Sequence, residues 1–532
     1  MNKGPTSAAG ADALGASENL RTLIVNSLSR GAAPQETLGA AGYSYEFVLR
    51  AFRPLLERWA EVVEVGRPES QLDFAVRNAR RRGRQPLSLS FRPFQEVYLT
   101  RKAPNVVLPF WEFPDIPAGD YKDNPRYHWV RIANHCSLIL TASEFTAAAL
   151  GRAGVRTPIR VVPTPVAAEY FELPPWEAGR RTTLDCTAYV FSSPEVQPLR
   201  PPDVESRPGP DSQAFRLKTK LRSAARNVWR RGIKPWLPLR LSKALVSAKN
   251  AARNAWLEGE IELPPAETKV ELSGVVYTSI LNPDDNRKNW EDLLSAFLLA
   301  TRDREDATLV VKLVTSHAAP VREMLGYYYK LGISHRSKLV LITSYLSDEQ
   351  MRTLAEASAY YITSTRAEGA CLPLQDFLAG GRPGVAPRHT AIADYFDDRL
   401  GFVVDSHPEP CPWPQDNSGR LHTSWHRIVW SSLREQIEAS YEAAVNDRPQ
   451  YRNLSREARQ AMHGWASAAA VWPRLAGALA LAFGEPVASV GEPVASASGL
   501  FERGILLPDP EADATGSPGV IRAKTFAAER AA

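Results

Sequence analysis

Short apolar runs alternate with amphipathic segments along the first third of the chain. The runs are rich in Val, Leu and Ile, and they cover residues 23–25, 61–65, 87–91, 106–108, 138–140 and 160–162. After the first run, residues 43–61 carry Phe47, Leu55 and Leu56 among their apolar positions, which predicts a helix. Short apolar strands separated by helices predict a parallel sheet with both faces covered.

The same alternation returns in the second half of the chain. Predicted strands cover residues 270–280, 309–314, 339–343, 360–363 and 401–404, and predicted helices cover 290–301, 321–331 and 348–357. We therefore predict an α/β fold of two facing Rossmann-like domains. In such folds the ligand crevice lies at the carboxyl ends of the strands, here between the two domains.

Changes in composition suggest the domain boundaries. Residues 19–190 form the predicted first domain and 263–440 the second, and closing helices over 441–483 return toward the first. A Pro-rich linker and a basic helical insertion occupy 191–262, between the domains. Residues 1–18, rich in Gly, Ala and Ser, and residues 484–532, with a short Gly-Glu-Pro-Val-Ala-Ser repeat, are predicted to be disordered.

The overall composition is ordinary for a soluble globular protein, with 44% hydrophobic and 23% charged residues in a chain of 532. The four cysteines lie far apart, at Cys136, Cys186, Cys371 and Cys411. That spacing fits neither a metal site nor a disulfide framework and favours a reducing compartment. Residues 1–18 lack the apolar core of a signal peptide. The most apolar segment, 465–483, contains Pro473 and Arg474, which favours a buried helix over a membrane span. We therefore predict a cytoplasmic protein.

The positive charge of the chain is concentrated in one segment. Residues 216–253 contain twelve Lys or Arg and no Asp or Glu, so the net charge of +5 becomes 5 − 12 = −7 for the remainder. Cations recur every four residues beside an apolar line, which predicts a basic amphipathic helix. Three interpretations stay open: peripheral docking on the anionic inner face of the cytoplasmic membrane, a solvated insertion, or binding of nucleic acid or protein. We favour the membrane surface and favour nucleic acid least. Vesicle flotation with and without this segment separates them, since unchanged lipid binding would remove the first.

The strongest candidate for chemistry follows the predicted strand 360–363. The chain reads Glu368-Gly369-Ala370-Cys371-Leu372-Pro373-Leu374-Gln375-Asp376. Pro suits the first turn of a helix, where its missing N–H costs no hydrogen bond. The amides before it then point out of a helix N-terminus, which binds diphosphate groups. Glu368 and Asp376 can face one crevice and accept hydrogen bonds from sugar or ribose hydroxyls. The alternative is a plain strand–loop–helix connection with two solvated acids.

This segment resembles the donor-binding signature of retaining glycosyltransferases of family four, which have the GT-B fold. The signature is Glu-Gly-x-x-Leu-Pro-x-x-(Glu/Asp) followed by Ala-x-Gly-x-Pro, and the second part here is Ala379-Gly380-Gly381-Arg382-Pro383. The resemblance implies that Glu368 contacts the transferred sugar and that Asp376 binds the ribose of a nucleotide sugar. It assigns sugar and phosphate contacts to four loop residues, Gly369, Ala370, Cys371 and Leu372.

A basic sequence, Asn286-Arg287-Lys288-Asn289, precedes the predicted helix 290–301. A Lys at a helix start can neutralise a departing diphosphate without a metal, and the resemblance gives this role to Lys288. Arg287 is either a second donor contact or a surface charge. Relatives often carry another basic residue a few positions earlier, where this chain has Asn282. The nearby Asp284-Asp285 pair reads as a solvated turn.

The first block resembles the acceptor-side domain of the same family, through Pro109-Phe110-Trp111-Glu112-Phe113-Pro114. The implied roles are a Trp111 indole that stacks on a sugar and a Glu112 carboxylate that orients an acceptor hydroxyl. The alternative is a Trp packed in the sheet and a Glu that caps the next turn.

Together these features predict a glycosyltransferase that moves a sugar from a nucleoside diphosphate sugar to a hydroxyl of a glycan or lipid-linked acceptor. The resemblance implies retained anomeric configuration and no metal or other cofactor. It associates the chain with assembly of bacterial surface polysaccharide or lipopolysaccharide. Two alternatives remain: a nucleotide-sugar epimerase with the same donor pocket, and a non-catalytic scaffold.

Overall fold

A computed structural model describes residues 20–28, 38–39, 42–117, 119, 124–191, 263, 265–315, 318–414, 416 and 421–484. The predicted disordered N-terminus, the basic segment 216–253 and the predicted tail beyond residue 484 lie outside these residues.

The first sheet contains six parallel strands: β1 (Arg21–Ser27), β2 (Glu61–Glu64), β3 (Gln85–Phe91), β4 (Asn105–Val107), β5 (Leu138–Thr141) and β6 (Ile159–Val161). Their order across the sheet is β2-β1-β3-β4-β5-β6. The helices of this half are α1 (Gly42–Trp59), α2 (Pro68–Arg81), α3 (Trp129–Ala133), α4 (Glu144–Arg152) and α5 (Ala168–Phe171). In α1, Val48, Phe52 and Leu56 recur at helical spacing and pack in the core of this sheet.

The second sheet contains eight strands: β7 (Thr182–Phe191), β8 (Glu267–Leu272), β9 (Val275–Leu281), β10 (Ala307–Leu313), β11 (Lys338–Ile342), β12 (Tyr360–Ile362), β13 (Gly384–Pro387) and β14 (Gly401–Val404). Their order is β14-β13-β12-β9-β10-β11-β7-β8, and the six strands from β14 to β11 are parallel. The helices that follow its parallel strands are α6 (Trp290–Ala300), α7 (Ala318–Leu331), α8 (Asp348–Ala357) and α9 (Leu372–Ala379). The predicted α/β class with two Rossmann-like sheets is thus confirmed.

The edge of the second sheet differs from the sequence prediction. Strand β7 falls inside the predicted first domain but pairs antiparallel with β11 and β8 of the second sheet. The boundary at residue 190 is therefore wrong, and the segment 192–262 lies along the chain between two neighbouring strands of one sheet. The single strand predicted over 270–280 is two strands, because the chain turns at Gly274, which has φ +72°. A Cβ there would lie 2.1 Å from the Asp306 carbonyl oxygen, so only glycine fits.

The closing segment forms three helices: α10 (Trp430–Val445), α11 (Arg448–Ala466) and α12 (Ala468–Ala482). Val471, Leu475 and Leu479 of the last helix are buried with Leu23 and Leu87 of the first sheet. The predicted return to the first half is confirmed. Within the described part of the chain, no helix combines the length and hydrophobicity that a membrane crossing requires.

A two-stranded antiparallel hairpin, β15 (Ser406–Pro412) and β16 (His422–Ile428), follows the second sheet. Its residues Trp413, Leu421 and Trp425 pack with Trp111 and Phe113 of the first half. Thr423 Oγ1 also donates to Asp115 Oδ2 at 3.0 Å. The hairpin therefore joins the second half to the loop that follows β4.

Candidate functional site

A cavity of about 630 Å³ lies between the carboxyl ends of the two sheets. Its walls include residues that follow β4 of the first sheet and residues at the ends of β9 and β10 of the second. All ten predicted site residues line it: Trp111, Glu112, Arg287, Lys288, Glu368, Gly369, Ala370, Cys371, Leu372 and Asp376. The structure thus brings together residues that the sequence separates by up to about half its length.

Glu368 is the centre of an ion-paired cluster. Its Oε1 accepts from Lys288 Nζ at 2.5 Å and its Oε2 from Arg287 Nη1 at 3.1 Å. Arg287 Nε also lies 2.9 Å from Asp285 Oδ2 and 3.5 Å from Glu112 Oε1. Glu112 belongs to the first half and the other four to the second, so this cluster joins the two halves at the cavity wall.

Burial and the neighbouring charges shift the pKa values of two acids of the cluster, Glu368 and Glu112. Burial raises the pKa of Glu368, but Lys288 and Arg287 more than offset it and lower the pKa to about 2. Burial raises the pKa of Glu112, against the opposing charge of Arg287. Glu368 is therefore an anion at any physiological pH and acts as a hydrogen-bond acceptor rather than as an acid.

The backbone around Glu368 is held in an uncommon conformation. Among the described residues, the non-glycine positions with positive φ are Asn289, Cys371 and Thr390. Thr390 Oγ1 accepts the Glu368 amide at 3.0 Å, while Asn289 and Cys371 precede the helices that begin at Trp290 and Leu372. Each such residue costs on the order of 1–3 kcal/mol, and such costs concentrate at functional sites.

The helix Leu372–Ala379 begins at the cavity wall with Pro373 in its first turn, as predicted. Among the described residues, the amides of Gly369, Ala370, Cys371 and Leu372 donate no hydrogen bond. Gln375 Nε2 donates to the Ala370 carbonyl at 2.9 Å and fixes the loop. Free amides and the positive end of a helix dipole form an anion-binding surface inside the cavity.

Trp111 is placed differently from the prediction. Its ring is 3% exposed and lies 4.5 Å from the Trp129 ring and 5.8 Å from the Trp413 ring, measured between centroids. Its Nε1 donates to the Asp115 carbonyl at 3.0 Å. The indole face is therefore covered by protein and does not offer a sugar a stacking surface in this structure. The alternative of a packed Trp is the correct one.

The backbone of Trp111 forms the cavity wall beside the Glu368 loop. A Cβ on Gly369 would lie 3.2 Å from both the nitrogen and the carbonyl oxygen of Trp111. Glycine at this position lets the two halves approach each other closely.

Asp376 lies on the cavity wall with a different electrostatic environment. Burial raises its pKa to about 7, since the Arg50 charge that would lower it is offset by Asp348. Arg50 Nη2 and Asp348 Oδ1 are 2.9 Å apart and join the helix Gly42–Trp59 to the helix Asp348–Ala357. This ion pair links the two halves at the rim of the cavity near Asp376.

Sequence reasoning missed three residues at this site. Asp285, expected to be solvated, instead pairs with Arg287, while Asp284 is exposed as predicted. Thr390 Oγ1 accepts a hydrogen bond from the Glu368 amide, and no sequence pattern near Thr390 predicts this contact. Lys312 lies in an apolar strand and lines the cavity. A single cation within such an apolar run is a sequence feature that could have identified it as a candidate site residue.

No protein-family model matches the chain, and no curated protein matches it. Among solved structures, the chain is similar to HepE from Anabaena in complex with UDP, at 13% identity over 87% of this chain and 100% of that one, with a TM-score of 0.46. It is also similar to sucrose-phosphate synthase from Thermosynechococcus elongatus, at 13% identity over 87% and 99%, with a TM-score of 0.48.

Proposed function

We propose that the protein is a glycosyltransferase that takes its sugar from a nucleoside diphosphate sugar. The observation that carries the proposal is the pairing, in one cavity, of four free amides at a helix start with Lys288 bound to Glu368. The amides and the ammonium suit a departing diphosphate, and the carboxylate suits a sugar hydroxyl.

The reaction proceeds on one face of the sugar and retains the anomeric configuration. The bond between the anomeric carbon and the phosphate oxygen breaks, and a bond from that carbon to the acceptor oxygen forms. The acceptor proton passes to the departing phosphate oxygen, so the site needs no separate base. Lys288 and the amides of residues 369–372 stabilise the growing negative charge, and this scheme requires no metal.

The remaining residues hold the substrates. Asp376 accepts hydrogen bonds from the ribose hydroxyls, and Glu112 orients the acceptor hydroxyl. The acceptor is a glycan or a lipid-linked glycan of a bacterial surface polysaccharide or lipopolysaccharide.

The test is a thermal-shift screen of nucleoside diphosphate sugars, since a true donor stabilises the fold by mass action. The stabilising donor is then supplied in labelled form with acceptor extracts. We expect Glu368→Gln to bind the donor with nearly unchanged affinity and to lower the transfer rate by about 100-fold, the loss typical of one electrostatic contact to a transition state. Glu57→Gln, on an exposed face of the helix Gly42–Trp59, is the control and should transfer normally.

Three outcomes oppose the proposal. Normal transfer by Glu368→Gln removes the role of that residue. Release of free nucleoside diphosphate without any transferred label favours the epimerase. Absence of turnover with every acceptor extract, whether or not the donor binds, favours the non-catalytic scaffold.

A further inference from the structure

Lys312 is a buried cation on the cavity wall. It belongs to the strand Ala307–Leu313, whose seven residues are all buried and otherwise apolar except Thr308. Its side chain is 2% exposed, and its Nζ donates to the Leu313 carbonyl at 3.0 Å. Among the described residues no carboxylate pairs with it.

A buried ammonium without a counter-ion destabilises a folded protein, because it loses hydration and gains no opposite charge. Burial accordingly lowers the pKa of Lys312 to about 8. A Leu or Met would fill the same volume without that cost, so packing does not explain a lysine here. A negatively charged ligand would supply the missing partner.

The register of the sheet places Lys312 near the carboxyl end of its strand, next to the strand that leads to Lys288. Lys312 pairs with Ile280, and Ile280, Leu281 and Asn282 line the cavity at the end of the neighbouring strand. Asn282 stands where the sequence comparison led us to expect a second basic residue. Its Nδ2 donates to the Gly39 carbonyl at 3.4 Å, so it contributes no charge.

The two cations beside Glu368 are each paired with carboxylates. Arg287 and Lys288 together face three carboxylates, those of Glu368, Asp285 and Glu112. A diphosphate carries more negative charge than this cluster can balance. Lys312 brings a charge that no carboxylate of the described residues cancels.

We propose that Lys312 binds the diphosphate of the donor from the strand Ala307–Leu313, beside the strand that leads to Lys288. This assignment rests on the proposed function, because it takes the donor to be a nucleoside diphosphate sugar.

The test compares Lys312→Met and Lys312→Gln with the wild-type full-length protein. Binding of UDP, GDP, ADP and inorganic pyrophosphate is measured by calorimetry, together with the matching nucleosides. We expect both variants to bind the diphosphate that the wild type prefers, and pyrophosphate, about 10- to 100-fold more weakly, as for loss of one charge-assisted hydrogen bond. The affinity for the nucleoside should not change. The melting temperature of ligand-free Lys312→Met should equal or exceed that of the wild type, because an uncompensated buried charge has been removed.

Two outcomes overturn the assignment, and a third separates it from the proposed function. Equal loss of nucleoside and diphosphate affinity would show that Lys312 contacts the base or ribose. Unchanged diphosphate affinity with a lower melting temperature in Lys312→Gln would show a structural role. If the wild type binds pyrophosphate through Lys312 but no nucleotide sugar, the proposed function fails and the phosphate site stands.

Discussion

Glu368 and Asp376 line the same cavity, but their pKa values differ because their neighbouring charges differ. Burial raises the pKa of both, and for Glu368 the charges of Lys288 and Arg287 reverse the effect and give about 2. For Asp376 the charge of Arg50 does not, because Asp348 opposes it, and the pKa is about 7. Nearby cations rather than exposure decide which carboxyl is ionised. One acid is a permanent anion, and the other changes charge near neutral pH.

Replacing Asp376 by Asn should stabilise the ligand-free protein at about pH 8 and have little effect near pH 4. The folded-state pKa of about 7 exceeds the ordinary 3.8, so the unfolded chain loses this proton more readily. The ionised carboxylate of Asp376 therefore destabilises the folded protein. This destabilisation is absent below the ordinary pKa, grows as pH rises, and is complete above the folded-state pKa. At ~1.36 kcal/mol per pKa unit it is on the order of 4 kcal/mol. Urea unfolding of both proteins at the two pH values measures it.

The same substitution should weaken donor binding about 10-fold, because Asn offers the ribose one acceptor instead of a carboxylate. Asp303→Asn, at a side chain that is 83% exposed, is the matched control and should alter neither property. A stability gain that is the same at both pH values would contradict the pKa of about 7 for Asp376.

The ten candidate residues could be chosen from the sequence because the motif fixes residue types and a strand–loop–helix connection fixes their geometry. Glu368 and Pro373 illustrate this, since the strand end and the first helical turn are local features. The orientation of the Trp111 ring could not be predicted. It is decided by Trp129 and Trp413, which reach it only through the tertiary fold.

At the scale of elements, the hairpin of the second half could not be predicted because its first strand is rich in proline. Pro408, Pro410 and Pro412 fall at alternate positions of the strand Ser406–Pro412, and such a run favours a loop. The residues between the prolines keep their N–H groups, so a two-stranded ladder can still form. The strand Thr182–Phe191 was not predicted for another reason. Its partner Glu267–Leu272 follows a long intervening segment, so the pairing is not a local feature of the sequence.

Replacing Trp413 by Ala should disturb the acceptor side of the cavity. Trp413 is buried against Trp111 and holds the loop that carries Glu112. We expect a loss of about 3–5 kcal/mol in the free energy of unfolding, the usual cost of removing a buried Trp. We also expect a changed near-ultraviolet circular dichroism signal, because the ring contacts of Trp111 are altered. Urea unfolding measures the loss of stability. A change in the acceptor KM in the transfer assay measures the disturbance of the acceptor side.

Trp472→Ala serves as the control for this experiment. Trp472 is half-buried on the helix Ala468–Ala482, where the Arg58 guanidinium lies 4.0 Å from its ring centroid. It should lower stability less and leave the acceptor KM unchanged. An unaltered acceptor KM in Trp413→Ala would show that the hairpin does not position the acceptor side.

At the scale of the whole molecule, the core of the first sheet includes a helix that returns from the second half of the chain. The helix Ala468–Ala482 follows the second half in sequence but packs in the core of the first sheet. Leu475 and Leu479 contribute fully buried side chains there. The first sheet therefore completes its hydrophobic core only when the chain beyond the second sheet has folded back onto it.

Leu475→Ala should consequently destabilise the first half selectively. Removing a buried leucine costs about 2–5 kcal/mol, and local opening follows the loss of contacts. Amide hydrogen exchange should accelerate in the strands Arg21–Ser27 and Gln85–Phe91 and remain slow in Val275–Leu281 and Ala307–Leu313. Leu299→Ala, at a leucine that is 39% exposed on the helix Trp290–Ala300, should leave every strand protected. Equal acceleration in both sheets of Leu475→Ala would mean that the halves unfold as one cooperative unit, in which case the cavity between them could open only by rigid rotation and not by loosening of the first sheet.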